Sequence, residues 1–161
     1  MAHRVVQWTT GNVGKRSVRA VVAHDDLELV GCYAWSPEKA GKDVGELCGI
    51  DPVGITATDD VDALLALRPD VVVYNPQWPD VDDLVRILEA GVNVVSTAAF
   101  IDGRAYEGDG QARIAAACEA GGVSMFGSGI NPGFAEQLTI VTAGLCDRID
   151  KVTINESADT T

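Results

Sequence analysis

Residues 70–74, Asp-Val-Val-Val-Tyr, form an apolar, β-branched run with no polar alternation. A strand with one wet face alternates, so a run like this belongs to a strand buried on both faces, as in a parallel sheet covered by helices above and below. Residues 92–95 repeat the pattern, and residues 4–8 and 27–35 read as two further apolar strands. Between these runs lie helical periodicities: residues 13–24, with Val18, Val21 and Val22 on one face; residues 60–67, capped by Asp59 or Asp60; residues 80–90, stopped by Gly91; and residues 111–120, before a last strand at 123–126. Strand and helix alternate with crossovers too long for hairpins, which predicts an α/β fold with a doubly wound parallel sheet.

Such sheets bind ligands at the carboxyl ends of their strands. That rule selects the segments after each run: residues 9–14, 36–39, 75–78 and 96–100, with a fifth, glycine-rich segment at 127–133. The first is Trp8-Thr9-Thr10-Gly11-Asn12-Val13-Gly14-Lys15. Strand, glycine turn and helix in that order suit a dinucleotide pyrophosphate, because Gly11 admits the phosphates without a Cβ in the way. The first helical N–H groups, from Thr10 through Gly14, then meet the negative charge. Against the G-x-G-x-x-G fingerprint the first glycine is replaced by Thr9, so the motif is incomplete.

Residues beyond the second strand bear on which dinucleotide is taken. An NAD site places Asp or Glu there, roughly 20 residues past the glycines, to accept from the ribose hydroxyls. Here the strand leads into Ser36-Pro37-Glu38-Lys39. Neither Ser36 nor Lys39 repels a 2′-phosphate, so NADP is admitted, while Glu38 keeps NAD open. Asn75 and Pro76 follow a central strand and border either the cofactor or only their own loop. Trp78 is either a cofactor neighbour or core packing.

Composition narrows the function classes. The 161 residues are 47% hydrophobic and 22% charged, enough for one globular domain with a sizeable core. Twelve basic residues against 24 acidic give a formal net charge of −12, which argues against a nucleic-acid partner. No apolar run is long enough to span a membrane and no basic segment leads into an apolar one, so cytoplasm is the default. Cys32, Cys48, Cys118 and Cys146 are far apart and read as reduced, mostly buried thiols. His3 and His24 form no cluster with them, so no metal site is expected, and no G-x-S-x-G elbow supports a hydrolase.

Near residue 130 the chain changes character. Residues 134–146 read as a long amphipathic helix with Leu138, Val141 and Leu145 on one side, and residues 151–156 alternate like a half-exposed strand. The expected organisation is therefore a nucleotide-binding domain of Rossmann type over residues 1–130, and over 131–161 the opening of a second α+β domain, apparently cut short.

With these segments in hand the chain resembles the dihydrodipicolinate reductase-like superfamily. The glycine turn at Gly11 and Gly14, the T-A-A-F segment at 97–100 and the G-x-N-P-G segment at 129–133 carry the resemblance. The longer strings W-T-T-G-N-V-G, Y-x-W-S-P-E-K at 33–39 and F-G-S-G-I-N-P-G-F at 126–134 look most like its diaminopentanoate dehydrogenase and native amine dehydrogenase branch. The resemblance implies NADP, or NAD, as cofactor. It implies a nicotinamide loop at Thr97, Ala98 and Ala99, whose small side chains permit close approach, and an interdomain hinge at Asn131 and Pro132. Asn131 would there reach the carboxamide or cap the next helix. It further implies a small amine or carbonyl substrate, a homodimer joined through the second domain, and a catalytic glutamate near Glu107, with Asp102 and Asp109 as competitors. A carboxylate at that place would take a proton from ammonium or a bound amine.

True dihydrodipicolinate reductases carry a Glu-x-His-His pattern where this chain has Glu156-Ser157-Ala158-Asp159. Both histidines are missing, so the proton donor of that reaction is absent. The implied activity is reversible oxidative deamination of a primary amine. Reduction of another C=N or C=C bond, and NAD(P) sensing without turnover, stand as alternatives.

Overall fold

A computed structural model describes residues 1–98 and 108–155, with the side chains of residues 131 and 132 outside the description. Five strands form one sheet: β1 (His3–Trp8), β2 (Leu27–Tyr33), β3 (Val71–Tyr74), β4 (Asn93–Ser96) and β5 (Met125–Gly127). They lie in the order β2-β1-β3-β4-β5 and every pair is parallel. The crossovers carry α1 (Asn12–Val22), α2 (Val44–Cys48), α3 (Val61–Ala66), α4 (Val81–Glu89) and α5 (Gly110–Gly121). The α/β doubly wound sheet expected from the buried valine runs is the fold observed.

Each face of the sheet has its own core. On one face Val6, Trp8, Val72, Tyr74 and Val94 pack with Leu84, Ile87 and Leu88 of α4 and Ile114 and Ala117 of α5. On the other, Val5, Leu29 and Cys32 pack with Val18 and Val21 of α1 and with Val44 and Cys48 of α2. The alternation of neighbouring side chains between two apolar layers explains the apolar run of β3 and, past the exposed His3 and half-buried Arg4, the buried Val5, Val6 and Trp8 of β1. Three helix starts are fixed by aspartate: Asp43, Asp60 and Asp80 each accept backbone N–H groups of the first turn of α2, α3 and α4. Asp43 also accepts from Val53 and Gly54, which ties α2 to the following loop.

Several element boundaries differ from the sequence expectation. β2 ends at Tyr33, not residue 35, where its pairing with β1 stops at Trp8. The short strand expected near Ile55 is reduced to two isolated bridges, Asp43 with Thr56 and Tyr33 with Thr58. The parallel Tyr33–Thr58 bridge sits beyond β2, so it marks the place of the outer strand of a Rossmann half.

The carboxyl-terminal expectations hold less well. A π-helical turn over Ile130–Phe134 leads into α6 (Ala135–Ala143), shorter than the predicted 134–146. α6 buries none of its residues, and Ile140 is exposed as well as Leu138 and Val141, so its apolar side chains are not confined to one stripe. Residues 151–155 form no strand and are exposed. Cys32 and Cys48 are buried as expected, whereas Cys118 is half-buried and Cys146 is exposed. Burial, with Cys48 nearby, pushes the Cys32 thiol up to about 12 although Lys39 opposes it.

Candidate cofactor site

Because all strands run one way, their carboxyl ends share one rim, and cross-strand hydrogen bonds continue past the last strand residues. Thr9 N donates to Tyr33 O at 3.0 Å, Asn75 N to Trp8 O at 3.3 Å, Thr97 N to Tyr74 O at 3.2 Å and Ser128 N to Ser96 O at 2.8 Å. These bonds hold the segments after β1 to β5 side by side. Residues 9–14, 36–39, 75–78 and 96–98, and the start of the fifth segment, therefore line a single edge of the sheet.

Between the segments after β2 and β3 lies the turn between β1 and α1. Thr9, which occupies the place of the missing first glycine, has φ of 71°. A β-branched residue in the left-handed region is strained by about 1–3 kcal/mol, so surrounding bonds must hold it. Its own Oγ1 donates to the Asn75 carbonyl at 3.2 Å, and its carbonyl accepts from Gln7 Nε2 at 3.0 Å. The turn thus keeps the glycine's conformation without the glycine.

Gly11 and Gly14 serve different needs. A Cβ on Gly14 would lie 2.3 Å from the Thr9 carbonyl oxygen, so this glycine lets α1 close down on the turn. Gly11 has φ of −73°, a value open to any residue, and a Cβ there would meet nothing within 4 Å. Nothing inside the fold requires glycine at position 11. The space faces outward at the first turn of α1, a helix that, unlike α2, α3 and α4, has no side-chain cap and no acidic residue in its first turn. Asn12 and Val13 are exposed beside it, and Thr10 is buried with no hydrogen-bond partner for Oγ1 among the described residues. An uncapped positive helix end with open space over a glycine suits a phosphate group.

Gln7 belongs to this site although no motif marks it. It is fully buried between the two cores, and its Nε2 reaches Trp8 O at 3.1 Å, Thr9 O at 3.0 Å and Asn75 Oδ1 at 2.9 Å. Asn75, itself buried, passes the connection on through Nδ2 to Thr97 Oγ1 at 2.8 Å. Gln7, Asn75 and Thr97 therefore form one side-chain chain across β1, β3 and β4, from the phosphate-type turn to the segment after β4. The signal available in the sequence was a lone amide between the apolar Val5-Val6 and Trp8 of β1.

Around this chain the other predicted residues fall as follows. Ser36 and Lys39 are half-buried in a turn closed by Lys39 N and Ala40 N on Ser36 O, and Lys39 Nζ reaches Thr10 O at 3.4 Å. Pro76 is half-buried beside Asn75, and Thr97 is exposed next to the half-buried Ala98. Trp78 is 79% exposed, which removes the core-packing reading. Asn131 and Pro132 lie in the π-helical turn beyond β5. Ala99, Glu107 and Asp102 lie outside the described residues, whereas Asp109 is described and sits at the start of α5.

Residues 5–102 match the family model described as dihydrodipicolinate reductase, N-terminus. The chain belongs to that family. An amine dehydrogenase from Streptomyces virginiae is 39% identical over 163 residues, an alignment covering 96% of this chain and 45% of the relative. A 4-hydroxy-tetrahydrodipicolinate reductase from Anaeromyxobacter sp. (strain Fw109-5) is 32% identical over 117 residues, covering 73% of this chain and 41% of its own. The solved amine dehydrogenase from Mycobacterium smegmatis superposes with a TM-score of 0.81 at 24% identity, covering 93% of this chain and 46% of that one, a likeness of fold. The chain spans less than half the length of these relatives. The dihydrodipicolinate reductase match covers β1 through β4 and so contains the turn, the Gln7–Asn75–Thr97 chain and the Ser36–Lys39 segment.

Proposed function

We propose that residues 1–130 are an NAD(P)-binding Rossmann domain and that the protein is an amine dehydrogenase-type oxidoreductase. Its reaction is reversible oxidative deamination of a primary amine to a carbonyl compound and ammonia. The observation that carries the cofactor half is Gly11: a glycine with no internal reason to be glycine, over the uncapped start of α1, on the rim between the segments after β2 and β3. The amine half rests on the relatives: the protein that matches over 96% of this chain is named an amine dehydrogenase. Two neighbours of similar fold are described in complex with NADH and with NAD, which supports a nicotinamide dinucleotide without choosing its phosphate.

In this reading the N–H groups of Thr10, Gly11, Asn12, Val13 and Gly14 hold the pyrophosphate, where the helix dipole favours negative charge. Ser36 donates to, and Lys39 neutralises, a ribose 2′-phosphate, so NADP is preferred over NAD. Asn75 and Pro76 border the cofactor at the centre of the rim. Thr97, Ala98 and Ala99 line the nicotinamide face, with Asn131 and Pro132 at the carboxamide and hinge. When bound, the nicotinamide supplies hydride exchange with the carbon bearing nitrogen. Glu107 moves the proton: its carboxylate takes one from ammonium or the bound amine, becomes the neutral acid, and, once that proton has passed to solvent, faces as a carboxylate the positive charge that develops on nitrogen. Residues 131–161 open the substrate and dimerisation domain of a cytoplasmic homodimer. Among the described residues no helix is long and apolar enough to cross a membrane.

The test is NADPH oxidation by the full-length protein over a panel of small ketones and aldehydes, with and without ammonium. Oxidation that requires ammonium supports the amine reading. Reduction of a dihydrodipicolinate-type substrate would overturn it, and tight NADPH binding without turnover would favour a sensor.

A further inference from the structure

Trp35 is 70% exposed, two residues past the carboxyl end of β2 and directly before Ser36. An indole so open stands out because the backbone on both sides is tightly held. Ala34 is buried and its N–H donates to Thr58 O at 2.8 Å. Ser36 O accepts from Lys39 N and Ala40 N, both at 2.9 Å, and Gly41 N donates to Ala57 O at 2.8 Å. The segment is also anchored to the turn after β1, through Thr9 N on Tyr33 O and Lys39 Nζ on Thr10 O. Trp35 is thus presented on a fixed support beside the turn.

We propose that Trp35 is the platform on which the adenine of the dinucleotide stacks. This deepens, and rests on, the NAD(P) reading of the rim. With the pyrophosphate over Gly11 and the ribose 2′ position facing Ser36 and Lys39, the base lies beyond the ribose at the outer side of β2. The residue preceding Ser36 on that rim is Trp35. Stacking against a flat indole needs no donor or acceptor, so it supplies affinity for the adenosine half without restricting the nicotinamide half.

Trp8 is buried whereas Trp35 and Trp78 are exposed, so a change in quenching can be assigned by comparing their substitutions. NADPH, adenosine 2′,5′-bisphosphate and nicotinamide mononucleotide are titrated against the full-length protein and its Trp35→Ala, Trp35→Phe and Trp78→Phe variants. Trp35→Ala is expected to weaken NADPH and the bisphosphate about tenfold, about 1.4 kcal/mol, with the mononucleotide unchanged. Trp35→Phe restores most of the affinity, because a smaller ring still stacks. Bisphosphate quenching of tryptophan emission persists in Trp78→Phe and is lost in Trp35→Phe. The inference is overturned if wild-type protein binds NADPH and Trp35→Ala binds the bisphosphate equally well, or if the quenching follows Trp78 instead. Failure of wild-type protein to bind NADPH at all would instead defeat the underlying NAD(P) reading.

Discussion

Gly11→Ala separates a structural glycine from one kept open for a ligand. At φ −73° and ψ −170° alanine is an allowed residue, and its methyl group meets no heavy atom within 4 Å. Alanine is a poorer helix N-cap than glycine by about 0.7 kcal/mol, whereas losing glycine's freedom in the unfolded chain returns about 0.4–1 kcal/mol. The two nearly cancel, so unfolding stability changes by less than about 1 kcal/mol and Tm by less than about 4 °C. Binding behaves differently. A methyl group in the space above the first turn keeps a phosphate oxygen from one backbone N–H, and a hydrogen bond to a charged group contributes about 1.5–3 kcal/mol. NADPH affinity should fall about 10- to 150-fold, read by calorimetric titration beside a thermal melt. Gly14→Ala is the contrasting case. Its Cβ, 2.3 Å from the Thr9 carbonyl oxygen, forces the turn to shift and should lower stability by about 1–3 kcal/mol. A Gly11→Ala protein that melts like wild type and binds NADPH equally well would refute the assignment of the turn.

Other substitutions probe the rest of the rim. Gln7→Leu removes the donor for Thr9 O and Asn75 Oδ1 and also the amide oxygen that has no partner among the described residues, so a net loss of about 1–3 kcal/mol is expected in denaturant unfolding. Lys39→Ala should weaken NADPH far more than NADH, and equal loss for both would place the 2′-phosphate elsewhere. Asp83 on α4 has its carboxyl held above the usual carboxylate range by burial and by Asp80, against Arg86 and a hydrogen bond from Trp8. Its ionisation therefore opposes folding: the penalty is absent below the unfolded-chain value and develops as pH rises through the raised folded value. Asp83→Asn should raise Tm at neutral pH and leave it unchanged at pH near 3.

How much of this was readable in the residues depends on where the information lies. The valine runs at 70–74 and 92–95 carried the parallel sheet because burial on both faces is a property of each strand alone. Asp60, Asp80 and Gly91 marked helix ends through local backbone chemistry, and the structure uses Asp60 and Asp80 as caps. Gln7 was passed over because its role depends on Asn75 and Thr97, 68 and 90 residues away in sequence, and no local period reports such a chain. Thr9 looked like a defect in a motif, whereas the backbone adopts the left-handed turn and holds it by tertiary bonds. The failed strand at 151–155 has a different cause. Alternation gives a segment a face, but strand formation needs a neighbouring edge to pair with, and the described residues supply none there.

The central claim is that this rim serves hydride exchange at a carbon bearing nitrogen. Its most direct test follows two labels at once: the full-length protein is given a small ketone, ammonium carrying ¹⁵N, and NADPH deuterated at nicotinamide C4, and the products are read by mass spectrometry. A primary amine with deuterium on the carbon bonded to ¹⁵N is predicted. An alcohol carrying deuterium with no nitrogen incorporated would contradict it.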